Sequence, residues 1–282
     1  GKLSEGEWHI TADGTDSVKN FVFSAKLRGG LIARPVIGKK EDWTSQELRT
    51  NTNKLGRQAL AVPHGYSTEN WEAPKDLYGR NQLFEPTGIA VAKDGTIVVA
   101  TRSAGIWRIR DQKWSLFAEG TYEALGVIIE DDKGDKLVVM QKSELTRISD
   151  SNSDGRADFF ETLCDDFGFH ANYHEYAHGP ARDNAGNYYF TLNLSHGGNE
   201  RTSWRAGGPY MGSMGGYRGW ACKVTPEGKF IPFANGLRSP AGIGFGPDGR
   251  LWYAENQGEY VGSSKVVPLE EGKFYGHLSG LV

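Results

Sequence analysis

The stretch EPTGIAVAKDGTIVVATRSAGIWRI, residues 85–109, contains a unit that predicts how most of the chain folds. An apolar run containing a glycine, residues 85–91, leads through Asp94-Gly95 into a second run rich in β-branched residues, 96–101. A third short apolar run follows at 105–109. Because Asp-Gly between apolar runs is typical of a tight hairpin turn, the unit predicts consecutive antiparallel strands.

The same unit recurs at residues 125–148, 178–192 and 239–254, each time around a turn that contains glycine. Units that recur at intervals of roughly 40 to 60 residues are typical of β-propeller blades. A single blade cannot bury both of its faces, and stacking blades around an axis solves this problem. The sequence therefore predicts an all-β fold, a β-propeller with about four visible blades. A β-sandwich is the alternative, which the internal repetition disfavours.

The composition suits one large β domain and argues against several classes of protein. Among 282 residues, 38% are apolar and 38 are glycines, which allows a sizeable core and many tight turns. The net charge of −3, without a basic stripe, argues against nucleic-acid binding. No apolar run is long enough to form a transmembrane segment. The two cysteines, Cys164 and Cys222, either form a disulfide in an exported protein or remain buried thiols.

Residues 1–64 lack the repeated unit, and we interpret them as an N-terminal extension or the remnant of a preceding domain. Residues 65–282 then form the propeller. A closed six-bladed ring would need more chain than this. We therefore expect the propeller to be incomplete at its C-terminal end, and the chain to belong to a longer protein with other domains.

The twelve residues from Asp150 to Glu161 match the pattern of a calcium-binding loop. Gly155 falls at the sixth position, where the backbone must bend sharply. The predicted oxygen ligands are the side chains of Asp150, Asn152, Asp154, Asp158 and Glu161, and the backbone carbonyl of Arg156. No flanking helices are evident, so we predict a structural Ca²⁺ loop between strands. A solvated Asp/Asn/Gly turn is the alternative.

Four of the seven histidines lie between residues 170 and 196. His170, His174 and His178 are spaced by four residues, which places them on one face of either a helix or a strand. Such a cluster suits a general base or a transition-metal site. For each histidine alone, a hydrogen-bonded structural role is the alternative. For the cluster as a whole we predict a functional site.

Two stretches resemble the glucose/sorbosone dehydrogenase family of quinoprotein β-propellers. They are YHEYAHGP at residues 173–180, with the segment that follows it, and GLRSPAGIGF at 236–245. From Gly65 onward the chain is more closely similar to a family of six-bladed, membrane-bound dehydrogenase-like propellers. The motifs that carry this resemblance are FEPTG at 84–88, the calcium loop, YHE at 173–175 and GKFYGH at 272–277. This resemblance covers about three quarters of the chain and implies a periplasmic or extracellular protein.

In quinoprotein sugar dehydrogenases, a histidine takes the proton of the sugar hydroxyl while a hydride passes to pyrroloquinoline quinone (PQQ). The resemblance implies that His174 is this base and that Arg238 contacts the quinone. It also implies that backbone groups near Gln257 and Gly258 hold calcium beneath the cofactor.

The chain departs from that family at two positions, which we keep in the predicted catalytic set. Asn193 stands where those enzymes have the aspartate that orients the histidine, so a weaker base is expected. His178 stands where they commonly have arginine. Tyr173 and Trp220 are predicted to stack against the sugar.

Three hypotheses for function follow. The first is a carbohydrate-active oxidoreductase, a PQQ-dependent-like sugar dehydrogenase acting on a small-molecule carbohydrate. The second is a sugar lyase or hydrolase in which His170, His174 and His178 hold a divalent metal. The third is a non-catalytic propeller that binds glycans or a protein partner.

Overall fold

The structure, a computed structural model, describes residues 25–26, 32–33, 45–48, 50–51, 70–196, 211–212, 216–258 and 262–278. The chain divides into two compact units, Gly1–Trp43 and Thr44–Val282. In the first unit, the described residues are two short paired strands, β1 (Ala25–Lys26) and β2 (Ile32–Ala33). The predicted boundary between residues 64 and 65 lies outside the described residues. All that follows concerns the second unit.

Four antiparallel sheets follow one another along the chain, and we call them blades 1 to 4. Blade 1 contains β6 (Pro86–Val91), β7 (Ile97–Thr101), β8 (Ile106–Arg110) and β9 (Lys113–Ala118), with β3 (Ser45–Glu47) beside β9. Blade 2 contains β10 (Val127–Ile129), β11 (Lys136–Met140), β12 (Leu145–Ser149) and β13 (Phe159–Cys164). Blade 3 contains β14 (Ala177–Arg182), β15 (Tyr188–Leu192), β18 (Trp220–Val224) and β19 (Phe230–Asn235). Blade 4 contains β20 (Pro240–Phe245), β21 (Leu251–Glu255) and β22 (Lys265–Pro268).

Two short strand pairs accompany the blades. They are β4 (Thr50–Asn51) with β5 (Asn70–Trp71), and β16 (Ser195–His196) with β17 (Met211–Gly212). Among the described residues, no helix is long and apolar enough to cross a lipid bilayer.

The all-β class and the four repeated units are confirmed, because each predicted unit forms one blade. The prediction missed the outermost strands, such as β9 in blade 1. This strand follows a two-residue turn at Asp111-Gln112, in which both residues have positive φ angles of 50° and 59°. Such left-handed turns are usually formed by Asn-Gly or Asp-Gly, so these two residues carry no recognisable turn signal.

Hydrophobic clusters fill the space between consecutive blades. Val98 and Phe117 of blade 1 pack with Leu137 of blade 2 in one cluster. Blades 2 and 3 share another cluster, and blades 3 and 4 a third. Along β15, Phe190 belongs to the cluster with blade 2 and Tyr189 to the cluster with blade 4. This alternation is the period of two expected for a strand that is buried on both faces.

The first strands of blades 1, 2 and 3 approach one another through glycines. A Cβ atom on Gly88 would lie 2.7 Å from the Cα atom of Gly126. A Cβ atom on Gly126 would lie 1.9 Å from the carbonyl oxygen of Gly179. Only residues without a side chain allow backbones to pack this closely. The segments that enter these three strands are thereby brought to the same end of the blades.

Candidate functional site

The segment that leads into β14 presents a row of aromatic rings. The ring centroids of Tyr173 and His174 are 5.0 Å apart, and those of Tyr173 and Tyr176 are 5.8 Å apart. The ring of His178, the second residue of β14, lies 6.1 Å from that of Tyr176. Tyr173 is 61% exposed, whereas the other three residues are partly buried. An exposed ring beside imidazole groups is a suitable surface for a polar ring such as a sugar.

Charged side chains from blades 1 and 2 complete this surface. Arg102 follows β7, Glu123 precedes β10 and Lys142 follows β11. Nζ of Lys142 lies 3.3 Å from Glu123 and donates to the carbonyl oxygen of Tyr173 at 2.9 Å. The guanidinium of Arg102 lies 5.6 Å from the ring centroid of Tyr173 and 5.7 Å from that of Tyr176. We call these five residues the rim cluster.

The two tyrosines of the rim cluster differ in acidity. Contacts with the Tyr176 side chain and with Arg102 lower the pKa of Tyr173. Burial, together with the contact to Tyr173, raises the pKa of Tyr176 to about 12. Tyr176 therefore stays protonated at every physiological pH.

A buried carboxylate, that of Glu175, anchors the segment that leads into β14. Glu175 is fully buried, and it accepts hydrogen bonds from Oγ of Ser195 at 2.6 Å and from the backbone N–H of His170 at 2.8 Å. Nδ1 of His170 lies 3.2 Å from the same carboxylate. Burial acts in the opposite direction, but these hydrogen bonds and the charge of Arg218 lower the pKa of Glu175. Arg218, also fully buried, donates to the carbonyl oxygen of Gly168 at 2.5 Å. The segment is thus held at Gly168 and at Glu175.

Backbone hydrogen bonds join the segments that contain three of the predicted site residues. The N–H of Asn193 donates to the carbonyl oxygen of Tyr176 at 2.9 Å, two residues after His174. The N–H of Leu194 donates to the carbonyl oxygen of Arg238 at 2.8 Å. Segments far apart in sequence, containing His174, Asn193 and Arg238, therefore meet at one end of blade 3.

Arg238 and Gly258, both predicted to bind the cofactor, lie against each other. A Cβ atom on Gly258 would lie 2.8 Å from Cδ of Arg238. Both residues line a pocket that also contains Glu255, Asn256, Lys265, Tyr275 and His277. Glu255 orders the pocket, because its two carboxylate oxygens accept the backbone N–H groups of Arg238 and Ser239 at 2.9 and 2.8 Å. Gln257 is exposed beside this pocket.

The other predicted site residues are placed as follows. Trp220 begins β18, and its ring lies 5.7 Å from that of Tyr217, packed against the core between blades 2 and 3. His170 is bound by Glu175. Across the described residues, no three His, Cys, Asp or Glu side chains are grouped so that they could hold a metal. His170, His174 and His178 form no such group among these residues, and a metal shared by the three stays a prediction.

His178 is a partly buried imidazole whose pKa is lowered to about 4 by burial. An ordinary histidine in the unfolded chain titrates near 6.5. Between pH 4 and pH 6.5 the unfolded chain binds more protons at this position than the folded protein. The contribution of neutral His178 to the free energy of unfolding is therefore fully present above pH 6.5 and is lost as the pH is lowered toward 4. At pH 7, His178 is uncharged.

We expect the free energy of unfolding to fall by up to about 2 kcal/mol between pH 6.5 and pH 5 because of His178. Urea unfolding at the two pH values measures this difference. His178→Gln should reduce the difference, since glutamine does not titrate. His277→Gln, at a histidine that follows blade 4, is the matched control substitution. An unchanged pH dependence in His178→Gln would show that other groups cause the acid sensitivity.

The predicted calcium loop lies between β12 and β13, with no helix on either side. Its polar side chains bind the loop's own backbone. Asp150 accepts the N–H of Gly155 at 2.8 Å, and Asn152 accepts the N–H of Asp154 at 2.9 Å. Asp154 in turn accepts the N–H of Arg156 at 2.9 Å. Gly155 has a φ angle of +93°, the left-handed bend for which a glycine was expected.

The last two predicted ligands are held differently. Asp158 accepts the N–H of Ser151 at 2.7 Å. Glu161 lies on β13, where its carboxylate is 2.6 Å from Nη1 of Arg147. Blade 1 also contacts the loop, because Arg108 donates to the carbonyl oxygen of Gly155 at 2.6 Å. Asp150, Asp154 and Asp158 each accept two hydrogen bonds and, with about four lone-pair sites per carboxylate, retain lone pairs for a cation, but calcium would have to draw these side chains together. Calcium binding stays a prediction.

If the loop binds calcium, EDTA should lower the melting temperature and added Ca²⁺ should restore it. A free calcium concentration of about a hundred times Kd would contribute about 2.7 kcal/mol, which corresponds to several degrees. Asp154→Ala should abolish the response, and Ser153→Ala, at a non-ligand position of the same loop, should retain it. A calcium-independent melting temperature in the parent protein would contradict the prediction.

Comparison with known proteins identifies the architecture. No protein-family model and no curated protein sequence matches the chain. Several solved structures are similar to the chain. A glucose dehydrogenase-type oxidoreductase from Thermus thermophilus is similar with 19% identity and a TM-score of 0.52, over 69% of this chain and 65% of that one. The PQQ-bound aldose sugar dehydrogenase of Streptomyces coelicolor is similar with 17% identity and a TM-score of 0.53, over 69% and 63%. The fold is a β-propeller.

A third structure, the soluble aldose sugar dehydrogenase of Escherichia coli in its apo-form, matches this propeller with 13% identity and a TM-score of 0.53. It too is covered over 63% of its length. The chain thus spans less than two thirds of the length of these structures. At such low identity the similarity establishes the propeller fold alone.

Sequence reasoning missed four members of the rim cluster, Tyr176 and the charged residues Arg102, Glu123 and Lys142. Arg102 and Lys142 occupy similar positions in consecutive blades, shortly after the second strand. An alignment of the repeated units against one another would have shown a cation at this position in blades 1 and 2. Their approach to Tyr173 depends on how the blades stack, which no single unit encodes.

Proposed function

We propose that this propeller is a carbohydrate oxidoreductase of the quinoprotein sugar dehydrogenase type. The observation that carries the proposal is the meeting of the segments of His174, Asn193 and Arg238 through two backbone hydrogen bonds. These segments contain the proposed base His174, the asparagine that replaces the family's orienting aspartate, and the proposed cationic anchor Arg238. The solved structures with a similar fold include sugar dehydrogenases, one of them bound to PQQ, which supports the same interpretation.

His174 is proposed to take the proton of the sugar hydroxyl as the hydride leaves the same carbon. Its ring lies on the rim beside Tyr173 and Tyr176, on a segment held by Glu175 and Lys142. A fixed base close to its substrate contributes more to the rate than a mobile one, because orientation is achieved before the reaction. Since asparagine replaces the charged partner of the family, the base relies on position more than on a neighbouring carboxylate.

The side chains around Arg238 include donors that suit an anionic quinone. Arg238 and Lys265 bring two positive charges and His277 an imidazole, against the single carboxylate of Glu255. Gly258 packs its backbone directly against the Arg238 stem, because a Cβ atom there would lie only 2.8 Å from Cδ of Arg238. When bound, PQQ would supply the hydride acceptor. Arg238 would pair with its carboxylates, and the carbonyls near Gln257 and Gly258 are the proposed ligands of an associated calcium.

A dye-linked assay tests the proposal. The protein is incubated with PQQ and Ca²⁺, and an aldose-dependent reduction of an artificial electron acceptor is measured. We expect turnover that requires both additions, and weaker quinone binding in Arg238→Gln, followed by absorbance without any sugar. Quinone binding that is absent in the parent protein, together with no aldose oxidation, would refute the quinoprotein assignment.

A further inference from the structure

The exposed ring of Tyr173 is held more firmly than most surface tyrosines. Its carbonyl oxygen accepts a hydrogen bond from Nζ of Lys142, a lysine whose side chain is only 2% exposed. Lys142 also lies 4.8 Å from the ring centroid of Tyr176. A ring on a fixed backbone loses little conformational freedom when a ligand binds, so it is a preorganised contact surface.

In the part of the chain that the structure describes, Arg102, beside this ring, meets carboxylates only at long distances. The nearest are Glu123 at 3.5 Å and Glu85 at 3.9 Å, and Glu123 is shared with Lys142. By contrast, Arg147 in the same protein is held by two carboxylates at 2.7 and 2.6 Å. A guanidinium has five N–H donors, and 27% of the Arg102 side chain is exposed. Arg102 also contacts the Tyr173 side chain, and its remaining N–H donors are available to a ligand.

We propose that Tyr173 and Arg102 form a subsite for a carboxylated sugar, such as a uronate. The ring of Tyr173 would contact the apolar face of the sugar, and Arg102 would bind the sugar carboxylate with two parallel hydrogen bonds. Arg102 shares the carboxylate of Glu123 with Lys142, and Glu85, 40% exposed, lies 3.9 Å from Arg102. A ligand carboxylate bound by Arg102 would take the place of the distant Glu85. The inference rests on the proposed function and specifies its substrate class.

Direct binding of glucuronate and glucose, measured by calorimetry without quinone, tests the subsite. We expect glucuronate to bind about tenfold more tightly than glucose, because a charge-assisted bidentate contact is added. Arg102→Gln should remove the preference and Arg102→Lys should retain part of it. Tyr173→Ala should weaken both sugars by a similar factor. Arg80→Gln is the matched control, since Arg80 also lies over an exposed tyrosine, Tyr78, at 4.7 Å.

Equal affinity for the two sugars, or a preference that survives Arg102→Gln, would overturn the subsite. If PQQ displaces glucuronate and its own affinity falls in Arg102→Gln, the carboxylates recognised are those of the cofactor, and the sugar assignment is wrong. Glucose oxidation without any uronate preference would remove the subsite and leave the proposed function intact. A uronate preference that depends on Arg102, without quinone-dependent oxidation, would support the subsite and refute the oxidoreductase.

Discussion

His174→Ala is expected to lower the rate of quinone-dependent sugar oxidation by about two to four orders of magnitude, the usual cost of removing a general base. The fold should persist. His174 is partly exposed, its backbone N–H donates to Asn172, and its ring makes edge contacts with Tyr173 and Tyr176. The backbone contact does not need the imidazole. Steady-state rates and thermal melting, measured on the same preparations, separate the two effects.

His178→Ala is the comparison within the same row of rings. His178 is proposed to assist binding, so its loss should reduce the rate less than the loss of His174. If the three histidines instead held one metal, removing any of them would abolish activity about equally. Equal turnover in His174→Ala and the parent, on a substrate that the parent oxidises, would exclude His174 as the base.

Gly126→Ala should destabilise the protein by about 3 kcal/mol or more. The new methyl group would lie 1.9 Å from the carbonyl oxygen of Gly179, an atom of the neighbouring blade's backbone. A backbone atom cannot move away by changing rotamer, so two blades would have to separate. For a chain of this size we expect the melting temperature to fall by roughly 6–12 °C.

Gly242→Ala provides the matched control, on the first strand of blade 4. A Cβ atom there meets no other atom within 4 Å, and Gly242 does not have a positive φ angle. This substitution should change the melting temperature by no more than about 2 °C. If Gly126→Ala and Gly242→Ala behave alike, the close approach of the first strands does not contribute to stability.

The parts of the fold that could be predicted are those encoded locally. The Asp94-Gly95 turn and the apolar runs around it specify a hairpin within about 25 residues, and its recurrence specifies the architecture. The outer strand β9 could not be foreseen, because Asp111-Gln112 adopts a left-handed turn with residues that rarely signal one. Phe117 of β9 packs in the cluster shared with blade 2, a contact that the turn residues do not signal.

The candidate site likewise has a part that is encoded locally and a part that depends on contacts between blades. Tyr173, His174 and His178 are close in sequence, and the structure places them in one row. Arg102 and Lys142 come from other blades, and their approach to Tyr173 depends on glycine contacts between first strands. The predicted role of Glu161 as a calcium ligand stays a prediction. Glu161 follows the strand pairing of β13 and meets Arg147, because ladder register, and not loop spacing, sets where its side chain lies.

The two cysteines give the molecule a built-in reporter of blade separation. Both are free thiols, Cys164 in blade 2 and Cys222 in blade 3, and both belong to the hydrophobic cluster between those blades. Burial raises the pKa of Cys164 to about 11 and that of Cys222 well above its ordinary value, so neither is a reactive thiolate at neutral pH. Alkylating reagents can therefore modify them only when the interface opens. The labelling rate in native buffer then measures how often these neighbouring blades come apart, without any engineered probe.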